Sequence, residues 1–284
     1  MRPEGEITRG TTNPGRLRRV DRWIAQALAA VLRGTAAPLI VDLGFGASPV
    51  TTLELYRRVR AVAPGAEVAG LEIDPERVAA ACRHLAALRA AGDALPGLSF
   101  RVGGFELPAP RPPALVRAFN VLRQYPEEQA WAAWSRLRAG LAPGGVLVEG
   151  TCDEAGRRAA WVTMPAPAAR ARPGGRHVPA LITFSARLAS LGRPSDLAER
   201  LPKALIHRNV PGEPVYQFLR DFDRAWDRAA PYSSFSPRQR WLAAVASLSD
   251  GWPVLRYPPQ GGPRRWRLGE VTLPWAALAP HGRK

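Results

Sequence analysis

The chain has 284 residues, 46% of them hydrophobic and 23% charged, which is enough to bury one large core or two modest ones and excludes a disordered or fibrous protein. Lys+Arg number 40 against 24 Asp+Glu, a formal charge of +16, yet lysine occurs only at Lys203 and Lys284; the excess is arginine amid abundant Ala, Gly and Pro, which fits a composition bias as well as a polyanionic partner such as RNA. No apolar run reaches the roughly 18 residues of a membrane-spanning helix, residues 1–12 lack the apolar stretch of a secretory signal, and Cys82 and Cys152 form no CxxC, so the expectation is a cytoplasmic protein with no membrane role, buried thiols and neither disulfide framework nor zinc site.

Along the chain, Leu17, Val20, Trp23, Ile24, Ala27, Leu28 and Val31 recur at three- and four-residue steps, which predicts an amphipathic helix over 16–33. Arg16, Arg18, Arg19 and Arg22 fall largely off that stripe, on a solvated face. Leu39 to Leu43 is a short apolar run closed by Gly44, the pattern of a strand buried on both faces. Ser48-Pro49 then predicts a helix start, with Ser48 as cap and Pro49 at the first helical position. A second strand, 67–73, ends at Glu72 and Ile73, and Asp74-Pro75 starts the next helix, lined by Val78, Cys82, Leu85 and Leu88. Further strands are expected at 98–102, 115–121 and 146–149, with a helix carrying Trp131, Trp134, Leu137 and Leu141 between the last two. Strands alternating with helices in this way predict an α/β, doubly wound, mostly parallel sheet.

Beyond Thr151 the alternation breaks down. Strand-like pieces at 159–164 and 181–184 flank an Ala/Pro/Gly/Arg-rich loop, 165–179, read as a mobile or lid segment. Phe218, Phe222 and Trp226 share one helical face and read as core, Ser236-Pro237-Arg238-Gln239 as a capping box opening a helix through Leu248, and 265–275 as a strand returning to the sheet edge. Residues 1–150 carry 19 cations and 14 anions, residues 151–284 carry 21 and 10, so the later part is the more basic.

The glycine turn after the first strand suits a nucleotide, because glycines allow close backbone approach and the following helix points N–H groups at the ligand. No Gly-Lys-Ser/Thr run exists, which removes a P-loop. Pro49 stands where the dinucleotide fingerprint needs Gly or Ala. The turn Val41-Asp42-Leu43-Gly44-Phe45-Gly46 instead resembles the class I S-adenosylmethionine-dependent methyltransferases, as do Gly70-Leu71-Glu72-Ile73-Asp74, Ala118-Phe119-Asn120-Val121-Leu122 and the Leu137 to Val148 run with its Pro-Gly-Gly turn. Together these span roughly residues 38–152. Two departures stand out: Ser48 replaces the third glycine of GxGxG, and Gly103-Gly104-Phe105 replaces the acidic residue commonly found after the third strand.

The resemblance implies S-adenosyl-L-methionine as cofactor. Gly44, Phe45 and Gly46 would approach its methionine moiety, Asp42 its amino group, Glu72 (with Ile73) its ribose, Phe105 its adenine ring, and Asn120 would lie beneath the methyl donor. It also implies three segments: an N-terminal helical segment (1–35), a cofactor-binding Rossmann-like domain (36–164), and a C-terminal substrate or lid region (165–284) completing the sheet. Arg123, Gln124 and Tyr125 after the fourth strand, and Thr151 and Asp153 after the fifth, are substrate-site candidates by position. Glu149 is the general-base candidate, although methyl transfer can proceed by positioning and desolvation alone. His84, His177, His207 and His281 show no metal-ligand spacing. The expected reaction is methyl transfer to a small-molecule acceptor. The alternatives are an RNA methyltransferase, which the basic later part allows although Asn120-Val121-Leu122-Arg123 is not the Asn/Asp-Pro-Pro-Tyr run of many such enzymes, and a non-catalytic nucleotide- or partner-binding module.

Overall fold

The computed structural model describes residues 3–7, 10–168 and 180–282. Among the described residues eight strands, β1 (Leu39–Leu43), β2 (Glu67–Glu72), β3 (Leu98–Val102), β4 (Leu115–Phe119), β5 (Val146–Cys152), β6 (Arg158–Pro165), β7 (Leu181–Ala186) and β8 (Glu270–Pro274), follow the order β3-β2-β1-β4-β5-β6-β7-β8, and the chain divides into two units. The first comprises Met1–Glu149, Glu154–Gly156 and Met164–Val178; the second comprises Gly150–Asp153, Arg157–Thr163 and Pro179–Lys284.

In the first unit, α1 (Arg18–Ala27) buries Val20, Trp23, Ile24 and Ala27, the apolar stripe of its sequence. Leu28 leaves helical geometry and a short α2 (Ala29–Leu32) follows, so the helix expected over 16–33 is two pieces. Strand β1 (Leu39–Leu43) is buried at every position, as a strand covered on both faces must be. Helix α3 (Val50–Arg60) starts one residue later than expected: Pro49 occupies the cap position and no side chain caps the helix. Strand β2 (Glu67–Glu72) leads into α4 (Pro75–Ala90), where Asp74 accepts from the Glu76 and Arg77 amides and Pro75 sits in the first turn. That helix buries Val78, Ala81 and Leu85, whereas Cys82, expected to be a buried thiol, is exposed; Cys152 is buried. Strands β3 (Leu98–Val102) and β4 (Leu115–Phe119) follow. The fourth stops two residues short of the expected 121 because Asn120 takes a left-handed φ of +61° and a 3-10 turn, Leu122–Gln124, begins. Helix α5 (Glu127–Ala139) buries Ala130, Ala133, Trp134 and Leu137.

Pairs β1–β2, β2–β3 and β1–β4 are parallel. Leu43 is level with Leu71 on one side and Ala118 on the other, so β1, β2 and β4 end at one edge. The chain order runs outward from β1 in both directions, which makes the space beyond β1 and β4 the switch point where open parallel sheets take ligands.

Strand β5 (Val146–Cys152) stays buried three residues beyond the expected end at Glu149. Strands β6 (Arg158–Pro165), β7 (Leu181–Ala186) and β8 (Glu270–Pro274) pair antiparallel. Most of the expected lid loop 165–179, with His177, lies outside the described residues. A short α6 (Lys203–Ile206) precedes α7 (Pro214–Arg228) and α8 (Pro237–Leu248). Phe218 lies 5.1 Å from Phe184 and Phe222 lies 5.1 Å from Trp241 between ring centroids, so these aromatics are core, as their helical spacing predicts. Ser236 Oγ accepts the Gln239 amide at 3.1 Å, the cap expected there. The strand expected over 265–275 is shorter: α9 (Pro263–Trp266) takes its first two residues and β8 begins only at Glu270. Among the described residues no helix is long and apolar enough to cross a membrane.

Candidate functional site

The turn leaving β1 is held in a conformation that glycine alone accepts readily. Gly44 and Gly46 have φ of +70° and +79°. A Cβ on Gly44 would stand 2.6 Å from Val121 Cγ2, and one on Gly46 would stand 2.7 Å from Thr12 Oγ1 and 3.2 Å from the Gly10 carbonyl, so space as well as backbone dihedral demands glycine. Between them Phe45 turns its ring edge-on to Phe100 at 5.2 Å. Glu72, 2% exposed, stands beside this turn: Oε2 accepts the Gly46 amide at 2.9 Å and Oε1 accepts the Ile73 amide at 3.0 Å. Arg77 lies 3.8 Å away. A carboxylate has about four lone-pair positions, so Glu72 retains acceptor capacity after both bonds.

A cleft of about 510 Å³ opens beyond the turn, lined by Gly10, Thr11, Thr12, Arg16 and Leu17 before α1, by Asp42 to Gly46, by Thr51, and by Phe119, Asn120, Arg123 and Gln124 after β4. Asp42, expected to face a ligand's amino group, engages both its oxygens with protein donors. Arg117 donates from Nε to Oδ1 at 2.9 Å and from Nη2 to Oδ2 at 2.7 Å, and Thr52 Oγ1 donates to Oδ2 at 2.6 Å. Arg117 also donates through Nη1 to Asp21 of α1 and through Nη2 to the Thr51 carbonyl at 3.1 Å. Burial works against the Arg117 charge, but Asp21 and Asp42 together raise its pKa above the ordinary value. Burial pushes Asp21 up to about 6 against the pull of Arg117. Arg117 and Asp21 were not among the expected site residues. The signal for Arg117 lay in the sequence: a lone charge inside the apolar run Leu115-Val116-Arg117-Ala118-Phe119 must find a buried partner.

At the β2 and β3 side of the turn the chain's own N-terminal residues lie in place. The Phe105 amide donates to the Glu4 carbonyl at 3.0 Å, the Glu6 amide to Tyr125 Oη at 2.5 Å, and Gln124 Nε2 to the Glu6 carbonyl at 3.2 Å. Glu4 also pairs with Arg136 at 2.7 Å. The rings of Phe105 and Tyr125 meet at 5.5 Å, and burial, ahead of every other cause, raises the Tyr125 pKa. The slot bounded by Glu4, Gly5 and Glu6 on one side and by Glu72, Ile73, Phe105 and Tyr125 on the other holds about 20 Å³. One end of the site is thus roomy and the other nearly filled.

Glu149 and Thr151, expected at and after the end of the fifth strand, lie within β5, and Glu149 is not among the residues lining this cleft. Glu149, 1% exposed, accepts from Trp134 Nε1 at 3.1 Å, and Oε1 has no hydrogen-bond partner among the described residues. Burial raises its pKa to about 8, against the smaller opposing effect of the Trp134 hydrogen bond. In the second unit, Thr151 Oγ1 donates to the Arg200 carbonyl at 2.5 Å. Asp153 accepts the Arg157 and Arg158 amides at 2.7 and 3.2 Å, which organises its own turn. Among the described residues no group of three or more His, Cys, Asp or Glu side chains could hold a metal ion.

No known family's sequence profile matches the chain, and no curated protein matches it. Solved structures do. A candidate sarcosine dimethylglycine methyltransferase from Galdieria sulphuraria is 21% identical, with 52% of this chain and 55% of that one covered and a TM-score of 0.36. Human N-acetylserotonin methyltransferase in complex with S-adenosylmethionine is 23% identical, with 50% and 42% covered and a TM-score of 0.32. A cyclopropane synthase from Mycobacterium tuberculosis is 18% identical, with 47% and 42% covered and a TM-score of 0.35. The matched part spans about half of this chain and about half or less of each of these proteins.

Proposed function

We propose that the protein binds S-adenosyl-L-methionine and transfers its methyl group to a small-molecule acceptor. The observation that carries this reading is the conjunction at the sheet edge: a glycine turn with two left-handed residues after β1, and a buried carboxylate at the end of β2 hydrogen-bonded to that turn. The amino-acid end of such a ligand fits the 510 Å³ cleft, where Gly44 and Gly46 leave room for backbone approach. Glu72 would take the ribose hydroxyls with its remaining acceptor capacity. Phe105 and Tyr125 would flank the base, which requires Glu4 to Glu6 to give way at the 20 Å³ slot. The cofactor supplies an electrophilic methyl group on sulfur; the chain's own residues position the acceptor and keep water out. Asn120, Arg123 and Gln124 line the cleft beyond β4 and are the residues proposed to meet the acceptor.

Calorimetric titration with S-adenosylhomocysteine tests the reading. The parent chain is expected to bind it and to ignore NAD, and Glu72→Ala is expected to weaken binding at least tenfold; unchanged affinity in that variant overturns the assignment. A second reading, a non-catalytic module that holds its own N-terminal residues where a nucleoside would sit, draws on the nearly filled slot. Silence toward both ligands favours it.

A further inference from the structure

Arg117 lies in the middle of β4, fully buried, directly beside its register partner Asp42 in β1. Its fork bonds Asp42 at two points, Asp21 in α1 and the Thr51 carbonyl in α3, so one side chain joins four elements. Stability alone is a weak reason for this arrangement. Burying an ion cluster costs desolvation that its attraction often fails to offset, and apolar residues of similar volume commonly serve as well. The cost is visible in Asp21, whose Oδ2 is buried without a hydrogen-bond partner among the described residues. A rigid bidentate fork supplies something an apolar residue lacks, which is a fixed orientation for the carboxylate it grips. That carboxylate is two residues before Gly44 and lines the cleft. The segment leading into α1, through Arg16 and Leu17, lines the same cleft.

We infer that Arg117 is a positioning residue for the cleft: it fixes the Asp42 carboxylate beneath the glycine turn and ties the start of α1 to that turn, and so sets affinity for the amino-acid end of the ligand. The inference rests on the cofactor reading above. It is tested with two ligands that share an adenosyl group, S-adenosylhomocysteine and 5′-methylthioadenosine, of which only the first carries the amino-acid portion. Arg117→Lys keeps the charge and loses the fork. A variant combining Arg117→Met with Asp21→Asn, which leaves Asp42 in place with its Thr52 bond, is read in place of Arg117→Lys if that variant does not melt cooperatively. The expected result in a cooperatively melting variant is at least a tenfold loss of affinity for S-adenosylhomocysteine, with affinity for methylthioadenosine within twofold of the parent. Equal losses for both ligands, or no loss for either, overturn the role of Arg117 while the cofactor reading stands. A parent chain that binds neither ligand overturns both.

Discussion

Glu149 was the one candidate base that the motif order placed at a strand end, and its environment gives it a different task. The carboxyl is buried with a single hydrogen-bond partner among the described residues, Trp134, and its pKa is raised from 4.5 to about 8 because burial penalises the anion. The unfolded chain ionises this group near pH 4.5, whereas the folded chain keeps it neutral until about pH 8, so its stabilising contribution is complete below 4.5 and is lost as pH rises through 8. The loss is on the order of 5 kcal/mol at full ionisation. Glu149→Gln is therefore expected to flatten the stability profile between pH 5 and 9 and to raise the urea midpoint at pH 8, with little change at pH 4; denaturation at pH 4, 5, 8 and 9 checks it. Gly46 is constrained in the opposite sense, by shape. An alanine there meets both a left-handed φ and Thr12 Oγ1 at 2.7 Å. Gly46→Ala is expected to cost roughly 1–2 kcal/mol in urea denaturation and to abolish S-adenosylhomocysteine binding, because the turn must move away from Thr12. Arg117 and Asp42 show how legibility runs out at this scale. Each was visible as a charge in an apolar run, but that they meet was decided by strand register.

At the scale of elements, the strands and helices of the first unit follow from hydrophobic period and capping chemistry. Asp74-Pro75 and Ser236-Pro237 act as caps in the structure, since their signals are local. Boundaries shifted where a non-local fit intervened, as at Asn120, whose left-handed backbone ends β4 early beside the cleft. The segment 3–7 carries no periodicity, and nothing local announces that it crosses to Phe105 and Tyr125. Its anchors to the slot include backbone bonds from Phe105 and to Glu106 and a bond from Gln124, together with two that side-chain truncation removes, the Arg136 pair and the Tyr125 bond. The paired change Arg136→Ala with Tyr125→Phe is expected to speed association of S-adenosylhomocysteine severalfold, read by stopped-flow tryptophan fluorescence. An unchanged rate means that these anchors do not limit entry.

For the whole molecule, the +16 charge predicts weak polyanion binding of a non-specific kind, because counterion release makes such binding fall steeply with salt. Retention of a homopolymeric RNA is expected to drop by an order of magnitude or more between 50 and 200 mM salt, independent of base identity, in a filter-binding assay. Retention that resists salt and depends on base sequence would instead favour an RNA acceptor.

The sequence by itself determined which segments form the parallel strands, where the glycine turn falls, and that an acidic residue ends the second strand, because each depends on residues a few positions apart. Only the tertiary structure decided that Asp42 is gripped by Arg117, that Glu149 is sealed against Trp134, and that Glu4 to Glu6 lie where a nucleoside is expected. Those outcomes depend on contacts between residues 15 to 119 positions apart. A carboxylate's role is set by what burial and register bring to it, and no local pattern encodes that.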